Sequence, residues 1–286
     1  MKSRMAAPLA AIALVLAACS SSATPLPTTA PATATPTSVA TATPAPATAA
    51  PVNLTIYGAA SLKAALAKAQ TAYAAANPGT SLTISTDSST ALETKIEQGA
   101  PVDVFLSADT ANPQKLVDKG LAAGSVTKFA GNLLTVIVPT ANPAGIQTPA
   151  DLAKSGVKVI AAGDPVPITK YANQLVADLA KQPGYPADFV AKYTANIVSK
   201  QDNGAAVVTQ IELGEGDAGI VYVTDAKASA KVATIAVPAV ANVPATYSGV
   251  VVKASANAAA AQAFLAWFAG PDGQAILASF GFLPAP

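Results

Sequence analysis

Three short stretches set small residues beside hydroxyl or amide groups at the start of a helix: Ala59-Ala60-Ser61, Ser88-Ser89-Thr90 and Asn203-Gly204. The first N–H groups of a helix have no intrahelical acceptor, and they sit at the positive end of the helix dipole. Several such ends aimed at one point bind an anion without any formal positive charge. At any single joint the same residues do no more than cap the helix. It is their recurrence that points to a site. Tyr222 adds a fourth group. It closes the apolar strand within Gly214 to Ala226, at the end where α/β sheets present ligand contacts. Its phenol donates a hydrogen bond while remaining neutral, although a lone tyrosine in such a strand is more often a core residue.

The remaining inventory narrows the chemistry. The chain of 286 residues has no histidine, and its one cysteine is Cys19. That removes His-based acid–base catalysis, Ser-His-Asp triads, thiol catalysis and His/Cys metal sites. No Gly-x-Ser-x-Gly nucleophile motif is present. The carboxylates Asp87, Asp103 and Asp109 are the only support for a hydrolase, and no base accompanies them. No catalytic residue is assigned, and binding is the reading to beat. From Val52 onward, fifteen basic residues face sixteen acidic ones with no basic run, which argues against nucleic acid as a partner.

The elements that must position these groups alternate between strand-like and helix-like patterns, as in α/β folds with mainly parallel sheets. Strands are expected at 54–57, 81–85, 102–106, 133–138, 157–161, 197–198, 218–222, 232–237 and 247–252. Helical spacing links Leu62, Leu66, Ala69 and Tyr73, and Asn77-Pro78-Gly79 ends that helix. Thr90-Ala91-Leu92-Glu93 has capping-box form, and Thr148-Pro149-Ala150-Asp151 opens with proline at the first helical position. Further helices are expected around Tyr171 to Leu179, from Gly204 to Ile211, over 256–269, and from Pro271 to about Phe280. So many strands imply two sheets.

The N-terminal region reads as an address. Lys2 and Arg4 precede an apolar run from Ala6 to Ala18, too short for a stable membrane span. Leu16-Ala17-Ala18-Cys19 resembles the bacterial lipobox, which makes 1–18 a lipoprotein signal peptide and Cys19 the lipidation site. Residues 20–51 are Ala, Thr, Pro or Ser except at Leu26 and Val39. Such a stretch cannot bury enough apolar surface to fold. Extended, it reaches on the order of 100 Å at about 3.1 Å per residue. With Cys19 it forms a 19–51 tether, or an O-glycosylated stalk of the same reach.

Tyr57-Gly58-Ala59-Ala60-Ser61-Leu62, the Ser88-Ser89 segment with Gly99-Ala100-Pro101-Val102-Asp103-Val104-Phe105, and the Gly214 to Ala226 run resemble periplasmic molybdate-binding proteins, the solute-binding subunits of molybdate ABC importers. The resemblance spans nearly all of 52–286 and includes Phe280-Gly281-Phe282. It implies a two-lobed periplasmic binding protein of type II-like α/β architecture, with the ligand cleft between the lobes. Lobe 1 would combine 52–131 with 239–286, and lobe 2 would be 132–238. It also implies five oxyanion contacts: the hydroxyls of Ser61, Ser89 and Tyr222, and backbone amides at Gly204 and Ile168. Near Ile168 the sequence departs from the family pattern, with a shorter segment, Gly163-Asp164-Pro165-Val166-Pro167-Ile168-Thr169.

The expectation is therefore a non-enzymatic, extracytoplasmic, lipid-anchored monomer that captures molybdate or tungstate for a membrane permease, with no cofactor and no free metal cation. On this reading Gly58, Ala59 and Ala60 are small so that the ion and a closing lobe can approach. Rival readings are the same fold serving sulfate, another oxyanion or a small organic anion, and, further off, a surface adhesin or scaffold.

Overall fold

The computed structural model describes residues 51–286. The leader, Cys19 and the tether up to residue 50 lie outside the described residues. Ten strands form two five-stranded sheets among the described residues. The first sheet has the order β2 (Thr80–Asp87), β1 (Val52–Ala59), β3 (Val104–Ser107), β10 (Ala245–Val251), β4 (Thr127–Asn132). The second has the order β7 (Ile197–Gln201), β6 (Val159–Ala162), β8 (Ala218–Tyr222), β5 (Leu134–Pro139), β9 (Val232–Ile235).

β1 pairs in parallel with β2 and β3, and β6 with β7 and β8. These central strands are apolar because helices cover both faces, and Leu54, Ile56, Val104, Phe105 and Leu106 are wholly buried. β10 runs antiparallel to both β3 and β4, and β5 runs antiparallel to both β8 and β9. The sheets are therefore mixed rather than purely parallel. The chain crosses from the first sheet to the second at Asn132–Leu134, between β4 and β5, and returns between β9 and β10. Asn242 ties the two crossings together: its carboxamide accepts from the Leu134 N–H at 3.1 Å and donates to the Leu134 carbonyl at 2.8 Å.

The helices are α1 (Lys63–Ala76), α2 (Ser89–Glu97), α3 (Ala111–Asp118), α4 (Pro167–Leu179), α5 (Phe189–Ala195), α6 (Gly204–Glu212), α7 (Val223–Lys227), α8 (Ala258–Ala269) and α9 (Pro271–Ser279). Among the described residues no helix is long and apolar enough to cross a membrane. α8 packs an aromatic cluster against the first sheet. Phe268 lies 5.2 Å from Phe129, and Phe264 lies 5.1 Å from Tyr73 by ring centroid. The terminal Phe280-Gly281-Phe282 returns to the same sheet: Phe282 meets Tyr247 edge-on at 5.2 Å, and Gly131 and Leu283 exchange backbone hydrogen bonds.

Two local expectations differ from what forms. Thr90 is not the cap of α2. The helix begins two residues earlier with Ser88 at the N-cap, and the Thr90 hydroxyl instead donates to the Pro165 carbonyl at 2.6 Å. The Thr148 signal opens only a 3-10 stretch, Pro149–Ala153, in which the Asp151 carboxylate accepts from the N–H groups of Gln147 and Thr148. Four elements carried no readable signal: α3, with proline in its first turn, the short α5 and α7, and β4, whose Lys-Phe-Ala-Gly-Asn lacks an apolar run.

Gly58 is bare for a packing reason rather than for ligand access. A Cβ there would stand 2.3 Å from Leu66 Cδ1, so α1 lies directly against β1 at this point. Gly58→Ala is expected to lower unfolding free energy by about 1–3 kcal/mol through overpacking. Urea denaturation of Gly58→Ala, Leu66→Ala and the double variant should give a double-variant loss smaller than the sum of the two.

Candidate functional site

Four helix starts converge between the sheets. β1 runs through Ala59 into a 3-10 turn, Ala60–Leu62, which carries Ser61 and leads into α1. β2 leads into α2 with Ser88 at the N-cap and Ser89 as its first residue. α4 opens with Pro167 and Ile168, and α6 with Gly204. Asn203 caps α6 as its sequence suggests, its side-chain oxygen accepting from the Ala206 N–H at 2.9 Å. Gly204 and Ile168 are thus first-turn residues whose N–H groups have no acceptor within their own helix.

Ser61, Ser89, Ile168, Gly204 and Tyr222 all line one small cavity, with about 20 Å³ of room for the centre of a water-sized group. The structure brings all five together. Ala59 and Ala60 line it as well and Gly58 does not, so the sparse side chains of the first joint serve two purposes. The shorter loop before Ile168 still delivers that residue to the cavity, where it is buried. Gly204 must be glycine for a close approach: a Cβ would stand 2.5 Å from Asp225 Oδ2 and 3.5 Å from Ile168 Cδ1.

The hydroxyls are arranged as donors. Ser89 Oγ accepts from the Ala108 N–H at 3.0 Å, which leaves its own O–H to point elsewhere. Ser61 Oγ lies 2.8 Å from Tyr247 Oη, and Asn132 Nδ2 donates to that same Tyr247 oxygen at 3.2 Å. Since Asn132 supplies the proton of that bond, the Tyr247 hydroxyl is free to donate to Ser61. The Ser61 proton is then free for the cavity. Asn132 Nδ2 also donates to Thr224 Oγ1 at 2.9 Å, and its Oδ1 accepts from the Leu133 N–H. This relay runs through the crossing segment itself.

Tyr222 is the most telling member. It is buried, and its Oη has no hydrogen-bond partner among the described residues. A buried unpaired hydroxyl costs about 1–3 kcal/mol, so proteins rarely keep one without a use. Burial, followed by the charges of Tyr247 and Tyr171, pushes its phenol well above the ordinary tyrosine range. Tyr247 is raised in the same way, by burial first and then by Asp225. Both remain neutral O–H donors at any physiological pH.

No lysine lines the cavity, and residues 51–286 contain no arginine. The ionisable residues in its wall are Asp87 and Asp225. Asp87 is compensated, accepting from the Ser88 N–H at 2.8 Å and pairing with Lys95 at 3.2 Å. Asp103 and Asp109, the other carboxylates of a hydrolase reading, are engaged elsewhere. Asp103 accepts from Thr55 N–H and from Ser255, and Asp109 accepts from Ser107 and Asn112. Sequence reasoning missed Tyr247, Asn132, Thr224 and Asp225. Thr224 and Asp225 had a visible signal, their place in the Gly214 to Ala226 run.

Comparison with known proteins bears on the family and the fold. A family model described as bacterial extracellular solute-binding protein matches residues 54–283. The molybdate-binding protein ModA of Mycobacterium tuberculosis is 32% identical over 231 residues, covering 80% of this chain and 84% of that protein. The solved periplasmic molybdate-binding protein of Azotobacter vinelandii superposes with a TM-score of 0.69 at 27% identity, over 82% of this chain and all of that one. The sulfate-binding protein SubI of M. tuberculosis shares the fold at a TM-score of 0.72, with 21% identity over 82% of this chain and 87% of that one.

If Tyr222 keeps its hydroxyl for a ligand, Tyr222→Phe should leave the ligand-free protein as stable or about 1 kcal/mol more stable. Tyr247→Phe, which breaks two existing hydrogen bonds, should cost about 1–2 kcal/mol. Chemical denaturation of the two variants side by side checks this opposite pattern.

Proposed function

The chain belongs to the bacterial extracellular solute-binding protein family, and on that footing we propose that it captures molybdate between its two sheets and delivers it to an ABC importer. The observation that carries the reading is the orphaned Tyr222 hydroxyl, which faces the same cavity as two serine hydroxyls and two first-turn amides. These five donors come from both sheets and from four helix starts. A tetrahedral dianion presents acceptors in every direction and no proton of its own. Aligned neutral dipoles in a water-poor cleft stabilise it without a cation. The same donors reject a protonated oxyanion, whose O–H would meet another donor.

The fold supplies the motion. Residues 52–131 with 239–286 would form one lobe and 132–238 the other, hinged at the two crossings tied by Asn242. Closure would bury the ion, and the permease would read the closed form. The Thr90 hydroxyl bond to the Pro165 carbonyl bridges these lobes on the cleft side. Tungstate, with the same charge and tetrahedral shape, is the second ligand of this reading. The family places such receptors outside the cytoplasm, and anchoring through a lipid on Cys19 accounts for the lipobox-like leader and the long tether. The protein acts as a receptor and not as an enzyme, and it is a monomer on this reading.

Calorimetric titration of the purified protein with molybdate, tungstate, sulfate and phosphate tests the assignment. Molybdate and tungstate should bind in preference to the other two. Ser61→Ala and Ser89→Ala should each weaken molybdate binding by about 1–3 kcal/mol, the cost of an unmet hydrogen bond to a charged group. Tighter binding of sulfate would reassign the ligand, and unchanged titrations for both variants would refute the site.

A further inference from the structure

Asp225 is a second orphan in the same cavity. It is buried, and its Oδ2 has no hydrogen-bond partner among the described residues. That oxygen faces the first residue of α6, standing 2.5 Å from where a Gly204 Cβ would be. Among the described residues no ion pair reaches it. A carboxylate in this place would set a negative charge against an incoming dianion, with no cation between them. A protonated carboxyl would do the opposite and add one more O–H donor.

We propose that Asp225 binds the oxyanion as a neutral carboxylic acid, donating its proton as a hydrogen bond, so that anion capture is linked to protonation of this one side chain. The inference rests on the oxyanion reading of the site and adds a specificity-determining residue to it. Burial pushes the Asp225 carboxyl up to about 7, with the Tyr222 backbone N–H drawing it partly back. The groups around it do not offset that rise. Tyr222 faces it from the end of β8 and Tyr247 from β10, both neutral phenols. Asp87 shares its cavity and is already paired with Lys95. On its other side Asp225 borders a surface groove of about 660 Å³, whose ionisable residues are Lys63 from α1, Glu212 from α6 and Lys227 from α7. That groove gives the carboxyl a path to solvent protons.

Below pH 7 the carboxyl is protonated before and after binding, and affinity is independent of pH. Above pH 7 the free protein holds a carboxylate that must take up a proton from solvent as the anion binds. Affinity should then fall about tenfold per pH unit, until the pKa of the bound form is passed. Molybdate itself remains a dianion throughout this range, so its own titration adds nothing.

The test is calorimetric titration of the wild-type protein with molybdate at pH 6, 7, 8 and 9, in buffers of differing ionisation enthalpy. The expected result is flat affinity up to about pH 7, about a tenfold loss from pH 8 to pH 9, and uptake of close to one proton at pH 8. Asp225→Asn keeps a donor and cannot titrate. It should bind molybdate at pH 6 within a few-fold of wild type and lose the pH dependence. Molybdate binding that is flat from pH 6 to pH 9 in wild type, or the same pH slope in Asp225→Asn, overturns the inference while leaving the oxyanion site standing. Preference for phosphate at pH 8 would make Asp225 an acceptor and also overturns it. No oxyanion binding at pH 6 overturns both readings. The wild-type profile decides the matter even if the variant folds poorly.

Discussion

A doubly charged ion taken out of water must be met by partial charges already aimed at it, and a protein that uses no cation for this has to keep donors unpaired beforehand. That constraint organises the structure. Unpaired buried donors are costly, so they have to be held in place by bonds made through their other atoms. Ser89 spends its acceptor lone pair on the Ala108 N–H, and Ser61 is held by the Tyr247 hydroxyl, itself fixed by Asn132. Tyr222 is held by its ring, with Tyr247 at 5.6 Å and Tyr171 at 6.4 Å, and keeps its hydroxyl free.

The two-sheet architecture follows from the same need. No single strand-to-helix joint offers more than one or two donors, so the site draws on β1 and β2 of one sheet and on β6, β7 and β8 of the other. Such a site is complete only when the sheets face each other closely. The relay behind Ser61 passes through Asn132, at the end of β4 where the chain leaves the first sheet, and on to Thr224 beyond β8. The Ser61 contact and the passage from the first sheet to the second thus share the Asn132 side chain. The C-terminus contributes by packing Phe282 against Tyr247, which gives the terminal Phe-Gly-Phe a role in positioning a site it does not touch.

Much of this was legible in the sequence wherever one residue type answers one local demand. The small and hydroxyl residues at 59–61, 88–89 and 203–204 marked helix starts, and long apolar runs marked the central strands. What could not be read was what a side chain meets across space. Thr90 has the form of a cap, yet its hydroxyl goes to a carbonyl seventy-five residues away. Gly58 resembles room for a ligand, but it is room for Leu66. Tyr247 and Asn132 sit in unremarkable strands, and their pairing with Ser61 depends on the antiparallel insertion of β10 beside β3 and β4. Convergence of the four joints is a property of topology, and local pattern carries no trace of it.

On the function proposed above, one tetrahedral oxyanion sits where the donors of the two sheets meet. A crystal structure grown with molybdate, with diffraction collected at the molybdenum absorption edge, tests it most directly. The expected result is a single strong anomalous peak enclosed by the Ser61, Ser89 and Tyr222 hydroxyls and the Ile168 and Gly204 amides, each within hydrogen-bonding distance of a ligand oxygen. A peak elsewhere on the protein, or a peak in the cavity with Tyr222 turned away from it, would overturn this assignment.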